Sequence, residues 1–382
     1  MFRILLIALL LYTGVQAQLL FPGAPSSAWA ATLLVFWLML AWQILYRRHA
    51  DVVDARWFRG LAWAGSTCFG VWATFVLFSL PIDAVALAVD AARPSPGLLP
   101  DALRGGLAAA VLVTAIGVAQ TLRGPVLRTV NVPVEDLHED LEGFTIVQLS
   151  DLHVGPTIRR RYVARVVRRA MSVEADMVAI TGDLIDGHPE RLSAEIAPLA
   201  GLSAPLGVYY VTGNHEYYWG GERWIAAVAG LGCIPLIGRH VVVRRGHAAV
   251  LVAGVADPAA RDFGLPRGTL VENAARGAPD ADLRLLLAHR PGAAGAAAAA
   301  GFDLQLSGHT HGGQFFPFSL LVRLTHRYHR GLARLGRMWL YVSAGTGYWG
   351  TPHRFWVPAE IAVLKLTRAA GKNFPEEFSR TA

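Results

Sequence analysis

Hydrophobic and polar positions divide the chain into two unlike stretches. Residues 4–46 carry no charged side chain, and AWAATLLVFWLMLAWQILY (28–46) is one uninterrupted uncharged run. GLAWAGSTCFGVWATFVLFSL (60–80) and GGLAAAVLVTAIGVAQTL (105–122) repeat the pattern. A membrane-spanning helix needs about 17–25 apolar residues, and Trp and Tyr near the ends suit the lipid–water interface. The pattern therefore predicts three spans. The first segment, FRILLIALLLYTGVQAQLLF, fits a fourth span at about 4–21. It fits equally a signal peptide, with Arg3, a short apolar run and a small-residue site at Val15-Gln16-Ala17. Both readings place residue 28 outside.

Beyond residue 122 the apolar runs become short, and each stops at a polar cluster. FTIVQLS (144–150) runs into Asp151-Leu152-His153, DMVAIT (176–181) into Gly182-Asp183, and GVYYVT (207–212) into Gly213-Asn214-His215-Glu216. LRLLLA (283–288) meets His289, and DLQLS (303–307) meets Gly308-His309-Thr310-His311. Runs of this length and composition predict strands. RRRYVARVVRRAMS between the first two has helical spacing, with Val163, Val166, Val167 and Ala170 on one face. The organisation that follows is a transmembrane region over 1–122, a linker over 123–142, an α/β domain over 143–366 and a tail over 367–382.

Composition sharpens this division. Only 16% of residues are charged, against 53% hydrophobic, where a soluble domain has roughly 25% charged. Arg47, Arg48, Arg56 and Arg59 crowd the loop at 47–59, the loop at 81–102 holds only Arg93, and Arg123 and Arg128 follow the last span. The positive-inside rule puts 47–59 and everything after 122 in the cytoplasm. Cys68 and Cys233 fall in different regions, which excludes a disulfide framework and a thiolate metal cluster. The net charge of +7 suits phosphates or acidic lipid headgroups.

Open α/β sheets bind ligands at the carboxyl ends of their strands. Five strands that each deliver Asp, His or Asn at that end point to one metal centre. Carboxylate, imidazole and amide oxygen without thiolate suit divalent Mn, Fe, Zn, Co or Mg. The donors are too many for one tetrahedral ion, whereas two ions about 3.5–4 Å apart with a shared carboxylate would use them all. Gly182, Gly213 and Gly308 stand directly before the donors, where sharp turns and close backbone approach are needed.

The motifs DLH (151–153), GDLID (182–186), GNHE (213–216), His289 and GHTH (308–311) resemble, in order, the five motifs of the calcineurin-like metallophosphoesterases. TGNHEYYWG (212–220), SGHTHGGQ (307–314) and YVSAGTGYWG (341–350) are similar to its bacterial membrane-associated branch, which includes YkuE-type phosphodiesterases and UDP-2,3-diacylglucosamine pyrophosphohydrolases. The resemblance covers roughly residues 143–366. It implies a four-layer α/β/β/α sandwich, here preceded by the transmembrane helices. It also implies that Asp151, His153 and His311 hold one metal, that Asn214, His289 and His309 hold the other, and that Asp183 bridges them. His215 would protonate the leaving oxygen or stabilise the transition state. Asp186 and Glu216 would orient these groups without binding metal themselves.

Other polar residues read as structural. His188, His240 and His247 sit among turn residues without ligand partners and read as solvent-exposed, Asp257 before Pro258 suits a turn, and GAAGAAAAAG (292–301) suits a packed helix. The cluster Arg159, Arg160, Arg161, Arg165, Arg168 and Arg169 fits either a solvated face or acidic lipid. FFPFSLLVRLTHRYHRG (315–331) mixes aromatics and leucines with Arg323, Arg327 and Arg330. It is either a helix buried on the sandwich or a contact for an amphipathic lipid with a phosphate head. The sequence thus predicts a membrane-bound, two-metal hydrolase of a phosphodiester or pyrophosphate bond, in a lipid or nucleotide-linked lipid. A soluble phosphorylated small molecule, or a non-catalytic membrane sensor or scaffold, are the alternatives. Membrane lipids are the expected partners, and no nucleic acid is expected because the chain holds no separate DNA-binding module. A reporter fused to the C-terminus should read as cytoplasmic; a signal from the outer side would overturn the orientation.

Overall fold

A computed structural model describes residues 2–48, 55–93, 97–265 and 268–369. Part of the basic loop 47–59 and most of the tail 367–382 lie outside them. The chain forms two compact units, the first being residues 1–122 with Phe315–Phe318 and Gly350–Trp356, and the second the remainder.

The first unit contains four helices: α1 (Phe2–Leu20), α2 (Pro25–Arg48), α3 (Arg56–Ala92) and α4 (Leu98–Arg123). The last three are long and apolar enough to cross a membrane. α1 is tied to α3 by polar bonds: the Tyr12 hydroxyl (2.7 Å) and Gln16 Nε2 (2.6 Å) donate to Asp83, and Trp72 Nε1 donates to Thr13 Oγ1 at 2.9 Å. α3 runs well past the span expected at 60–80. Its 37 residues reach about 55 Å at 1.5 Å per residue, against roughly 30 Å of hydrocarbon. The extension follows from PIDAVALAVDAA, whose alanines and leucine favour helix. Pro81 does not stop it, and the Ser79 hydroxyl bonds back to Val76 O at 3.0 Å, close to where Pro81 withdraws its own donor. In the same unit His353 is fully buried, its ring stacked on Phe315 at 4.4 Å.

The second unit is built on two six-stranded sheets. Its strands are β1 (Val126–Val134), β2 (Thr145–Leu149), β3 (Met177–Thr181), β4 (Val208–Val211), β5 (Ile234–Pro235), β6 (Arg239–Arg245), β7 (Ala248–Gly254), β8 (Leu283–Leu287), β9 (Leu304–Ser307), β10 (Gly331–Leu335), β11 (Met338–Val342) and β12 (Glu360–Arg368). One sheet has the order β1-β12-β2-β3-β4-β5 and the other β10-β11-β9-β8-β7-β6. β2, β3 and β4 are mutually parallel, as are β7, β8 and β9. The outer layers include α5 (Arg160–Ala170), α6 (Pro189–Ile196) and α8 (Glu222–Ala229) on the first sheet, and α9 (Val271–Ala274) and α10 (Ala294–Ala299) on the second. The short α7 (Asn214–Tyr218) and α11 (Phe318–Thr325) are the remaining α-helices among the described residues.

Period-two alternation explains the four layers. Along β3, Met177 and Ala179 enter the core between the sheets, while Val178 and Ile180 face α5 and α6. Along β8, Leu283, Leu285 and Leu287 enter that central core, while Leu286 faces α9 and α10. Strands buried on both faces read as continuous apolar runs, which is the pattern seen in the sequence. Near the ligand-bearing ends, buried Gln148 links the sheets: its amide donates to Thr181 Oγ1 at 2.8 Å and to Ser307 O at 2.9 Å.

Two segments differ from the sequence reading. The stretch expected to be a linker, 123–142, contributes strand β1, which pairs in parallel with β12. Four of the six clustered arginines are engaged by the fold itself, and the Arg160 guanidinium donates to Ala194 O at 2.8 Å. Arg159 pairs with Glu195 at 3.0 Å, Arg165 lies 5.5 Å over the Tyr162 ring, and Arg169 bonds Pro125 O.

Candidate metal centre

The carboxyl ends of β2, β3 and β4 in one sheet meet those of β8 and β9 in the other, and the polar clusters following them converge. Three groups of donor atoms result, each with its atoms within 4.8 Å of one another: Asp151, His153 and His311; Asp183, His289 and His309; and His153, Asp186 and His215. His153 Nε2 faces His311 Nε2 at 3.0 Å, and His311 Nε2 lies 3.5 Å from Asp151 Oδ1. His309 Nδ1 lies 3.2 Å from His289 Nε2. Asp183 Oδ2 is 3.2 Å from His289 Nε2 and 3.8 Å from His153 Nε2, so one carboxylate oxygen reaches toward both clusters. Alternate histidines of His309-Thr310-His311 therefore stand in different clusters.

The donor set fits divalent cations on its own chemistry. His289 Nδ1 donates to Thr181 O at 2.7 Å, which leaves Nε2 as the ring nitrogen that faces Asp183 and His309. Asn214 is 5% exposed, yet its Oδ1 has no hydrogen-bond partner, and an orphaned buried acceptor is costly unless a cation takes it.

The backbone is held in unusual conformations to achieve this. Asp151, His153, Asp183, His309 and His311 all have φ between 51° and 72°. Non-glycine residues seldom adopt such angles, and they persist where the surroundings force them. Gly213 and Gly308 supply the room: a Cβ on Gly213 would lie 2.1 Å from Asp183 Oδ1, and one on Gly308 would lie 2.1 Å from Asp151 Oδ2.

Asp186 and Glu216 brace the centre from beneath. Asp186 Oδ1 is 3.2 Å from His153 Nδ1 and also bonds His215 Nδ1. Glu216 accepts backbone N–H groups of Gly213 (2.6 Å), Leu184 (2.7 Å) and Asp183 (3.0 Å), tying the β3 and β4 turns together. Burial opposes the charge of Asp183, but His289, His215 and His153 hold it well below the usual carboxylate range. Burial also opposes the His215 cation, yet Asp186 and Asp183 push it up to about 9. Burial and the Asp183 charge push Glu216 up to about 7, against its backbone donors. Burial, then His289 and Arg290, bring His309 down to about 3. The imidazoles thus differ widely in proton affinity.

Three neighbours carried no role in the sequence reading. Arg290, next to His289, is paired through two bonds with the buried carboxylate of Asp257, at 2.7 and 3.1 Å. Asp257 also caps its turn by accepting from Ala259 N at 2.8 Å. The Tyr218 ring lies 5.2 Å from that of His215 and the Trp349 ring 6.1 Å from it. The tyrosine and tryptophan stand inside quoted motifs, so position was the signal that could have found them. Of the remaining histidines, His247 is exposed, while His188 and His240 are half-buried.

Residues 144–313 match the calcineurin-like phosphoesterase family, and the chain belongs to it, as a hydrolase of phosphoester bonds. Among similar proteins, a transmembrane protein with metallophosphoesterase domain from Danio rerio is 31% identical over 91% of this chain and 82% of its own length. An uncharacterized metallophosphoesterase from Helicobacter pylori is 36% identical over 65% of this chain and 66% of its own. The uncharacterized metallophosphoesterase YkuE of Bacillus subtilis is 28% identical over 69% of this chain and 94% of its own.

Replacing Gly213 or Gly308 with Ala should drive the added methyl into a candidate ligand. Each purified variant is expected to retain clearly less metal than the parent by elemental analysis. An unchanged metal content would contradict this account of the turns.

Proposed function

We propose that the chain is a membrane-tethered, two-metal hydrolase of a phosphodiester or pyrophosphate bond, working at the cytoplasmic face of the cell membrane. Asp151, His153 and His311 would hold one divalent cation, Asn214, His289 and His309 the other, and Asp183 both. The carrying observation is the Asp183 carboxylate, 3.2 Å from His289 and 3.8 Å from His153. Mn, Fe, Zn, Co and Mg all suit these donors. When bound, such a pair supplies Lewis-acid charge for the phosphoryl oxygens and for the attacking water.

The remaining steps belong to the protein's own groups. His215 protonates the leaving oxygen: Asp186 fixes its Nδ1, and Asp183 Oδ1 accepts its backbone N–H at 2.9 Å. Nε2 is then the free end of the ring for proton transfer. Asp186 orients His153 and His215 together, so the proton donor is set relative to a metal ligand. Glu216 keeps the Gly182-Asp183 and Gly213-Asn214 turns in register.

A membrane-borne substrate is favoured by α11. Leu320, Leu321 and Leu324 are exposed on it, Leu324 at 82%, alongside exposed Arg323 and Arg327. Of the aromatics before it, Phe315 is buried and Phe318 exposed. Exposed leucines beside cations suit the surface of an acidic bilayer. The helix packs on the metal-ligand turn: a Cβ on Gly313 would lie 2.4 Å from Ser319 Cα.

Detergent-purified protein with Mn should hydrolyse bis-p-nitrophenyl phosphate, and at least one of a nucleoside-diphosphate diacylsugar and a cardiolipin-like lipid. Chelation should abolish both activities. His215→Asn should keep the metals but lose about 100-fold or more in kcat. Failure to cleave any ester when metal-replete would favour a sensor or scaffold, and cleavage of soluble esters alone would favour a soluble substrate. Leu320→Glu with Leu324→Glu should slow hydrolysis of the lipid ester in vesicles by about tenfold or more and leave the soluble ester unaffected. Equal rates on the lipid ester would remove α11 from the reading.

A further inference from the structure

Four rings form a row at the metal centre. Phe263 and Tyr218 have centroids 6.0 Å apart, Tyr218 and His215 5.2 Å, and His215 and Trp349 6.1 Å. His215 is half-buried, but the other three are open: Tyr218 is 50% exposed, Phe263 49% and Trp349 57%. A protein interior normally takes rings of this size, and exposed aromatics grouped beside a reactive centre are typical of ligand sites.

Trp349 is placed rather than loose. Gln314, at the end of the GHTHGGQ turn, grips its backbone with both ends of one amide: Gln314 Nε2 donates to Trp349 O at 2.9 Å, and Trp349 N donates to Gln314 Oε1 at 2.8 Å. Gln314 is 7% exposed and holds φ at 57°. A buried side chain in a strained backbone, three residues beyond His311, thus fixes the backbone from which an exposed indole reaches the candidate proton donor. On the other side, Tyr218 closes the short helix that begins with Asn214 and His215, so it moves with them.

We propose that Trp349 and Tyr218, with Phe263 beyond, form the leaving-group subsite, and that it accepts a leaving group with an apolar face next to its ester oxygen. This rests on the reading of His215 as the group that protonates that oxygen. If His215 meets the leaving oxygen, whatever the oxygen carries must lie over the rings flanking His215. Those rings offer π faces and few charges, since the nearby Arg290 is committed to Asp257. A planar ring would stack on them, and an acyl chain would lie along them. Trp349, Tyr218 and Phe263 are specificity-determining residues on this account, and Gln314 is a positioning residue.

The test uses three methyl phosphodiesters with different second alcohols, p-nitrophenol, octanol and glycerol, cleaved by full-length detergent-purified enzyme with Mn and followed by phosphorus NMR. Trp349→Ala should raise KM for the nitrophenyl ester, the octyl ester or both by about tenfold, with kcat little changed. The glycerol ester should keep its KM, and Trp349→Phe should restore most of the loss. Gln314→Met should copy Trp349→Ala in the same pattern. A loss confined to the nitrophenyl ester identifies a planar ring as the ligand, and a loss confined to the octyl ester identifies an acyl chain. Equal KM changes for all three esters, or none, would overturn the subsite while leaving the hydrolase reading intact. If the parent enzyme cleaves bis-p-nitrophenyl phosphate but none of these three, the subsite falls alone and the hydrolase reading stands.

Discussion

The centre depends on one buried carboxylate. Asp183 is 2% exposed, and its charge faces His289, His153 and His215 at once. An isolated carboxylate at that depth would take up a proton, so its ionised state exists only because imidazoles converge on it from both sheets. The converse also holds. His289 sits at 1% exposure, where burial opposes a cation, and Asp183 pushes it up to about 10. At this end Asp183, from one sheet, and His289, from the other, therefore meet at 3.2 Å in front of the apolar core. Gln148, bonded to both sheets, fixes their spacing a few residues deeper.

This arrangement explains why the supporting residues are strict about shape. Asp183 can approach the neighbouring turn only because Gly213 has no side chain, and its backbone is held by Glu216 from below. Glu216 neutralises three N–H groups with two oxygens, so the turns after β3 and β4 cannot shift independently. Five of the candidate ligands occupy left-handed backbone at some conformational cost. Such a cost is sustained where many contacts determine the same geometry, as these turns do.

Much of this was legible in the sequence, for a physical reason. Strands buried on both faces must be apolar along their whole length, so a polar cluster at the end of each is conspicuous. Asp151, Asp183, Asn214, His289, His309 and His311 are all of that kind. The less legible features depend on contacts between distant segments. β1 looked like a linker because its identity as a strand comes from pairing with β12, more than 200 residues away in the chain. α3 overran its span because helix propensity continues after the apolar run ends and nothing in 81–92 stops it. The arginines at and along α5 looked like one cationic surface, yet Arg159, Arg160, Arg165 and Arg169 find partners within the fold.

The segment after Gln314 shows how one pattern can divide into opposite environments. Phe315 turns inward and stacks on His353 and on Phe318, while Leu320, Leu321 and Leu324 remain open to solvent on α11. Helical periodicity alone could not distinguish these outcomes, because both faces of FSLLVRLT carry apolar residues. What separates them is burial: Val322 is covered by the fold, and the three leucines are left exposed. An unpartnered apolar face is unfavourable in water and favourable at a lipid interface. On the chain itself, the exposed leucines begin six residues after Gln314, the residue that ends the metal-ligand turn. The metal-ligand turn ends in Gln314, which holds Trp349 on one side and leads into α11 on the other. A shift of α11 would therefore reach the metal-ligand turn through only a few residues.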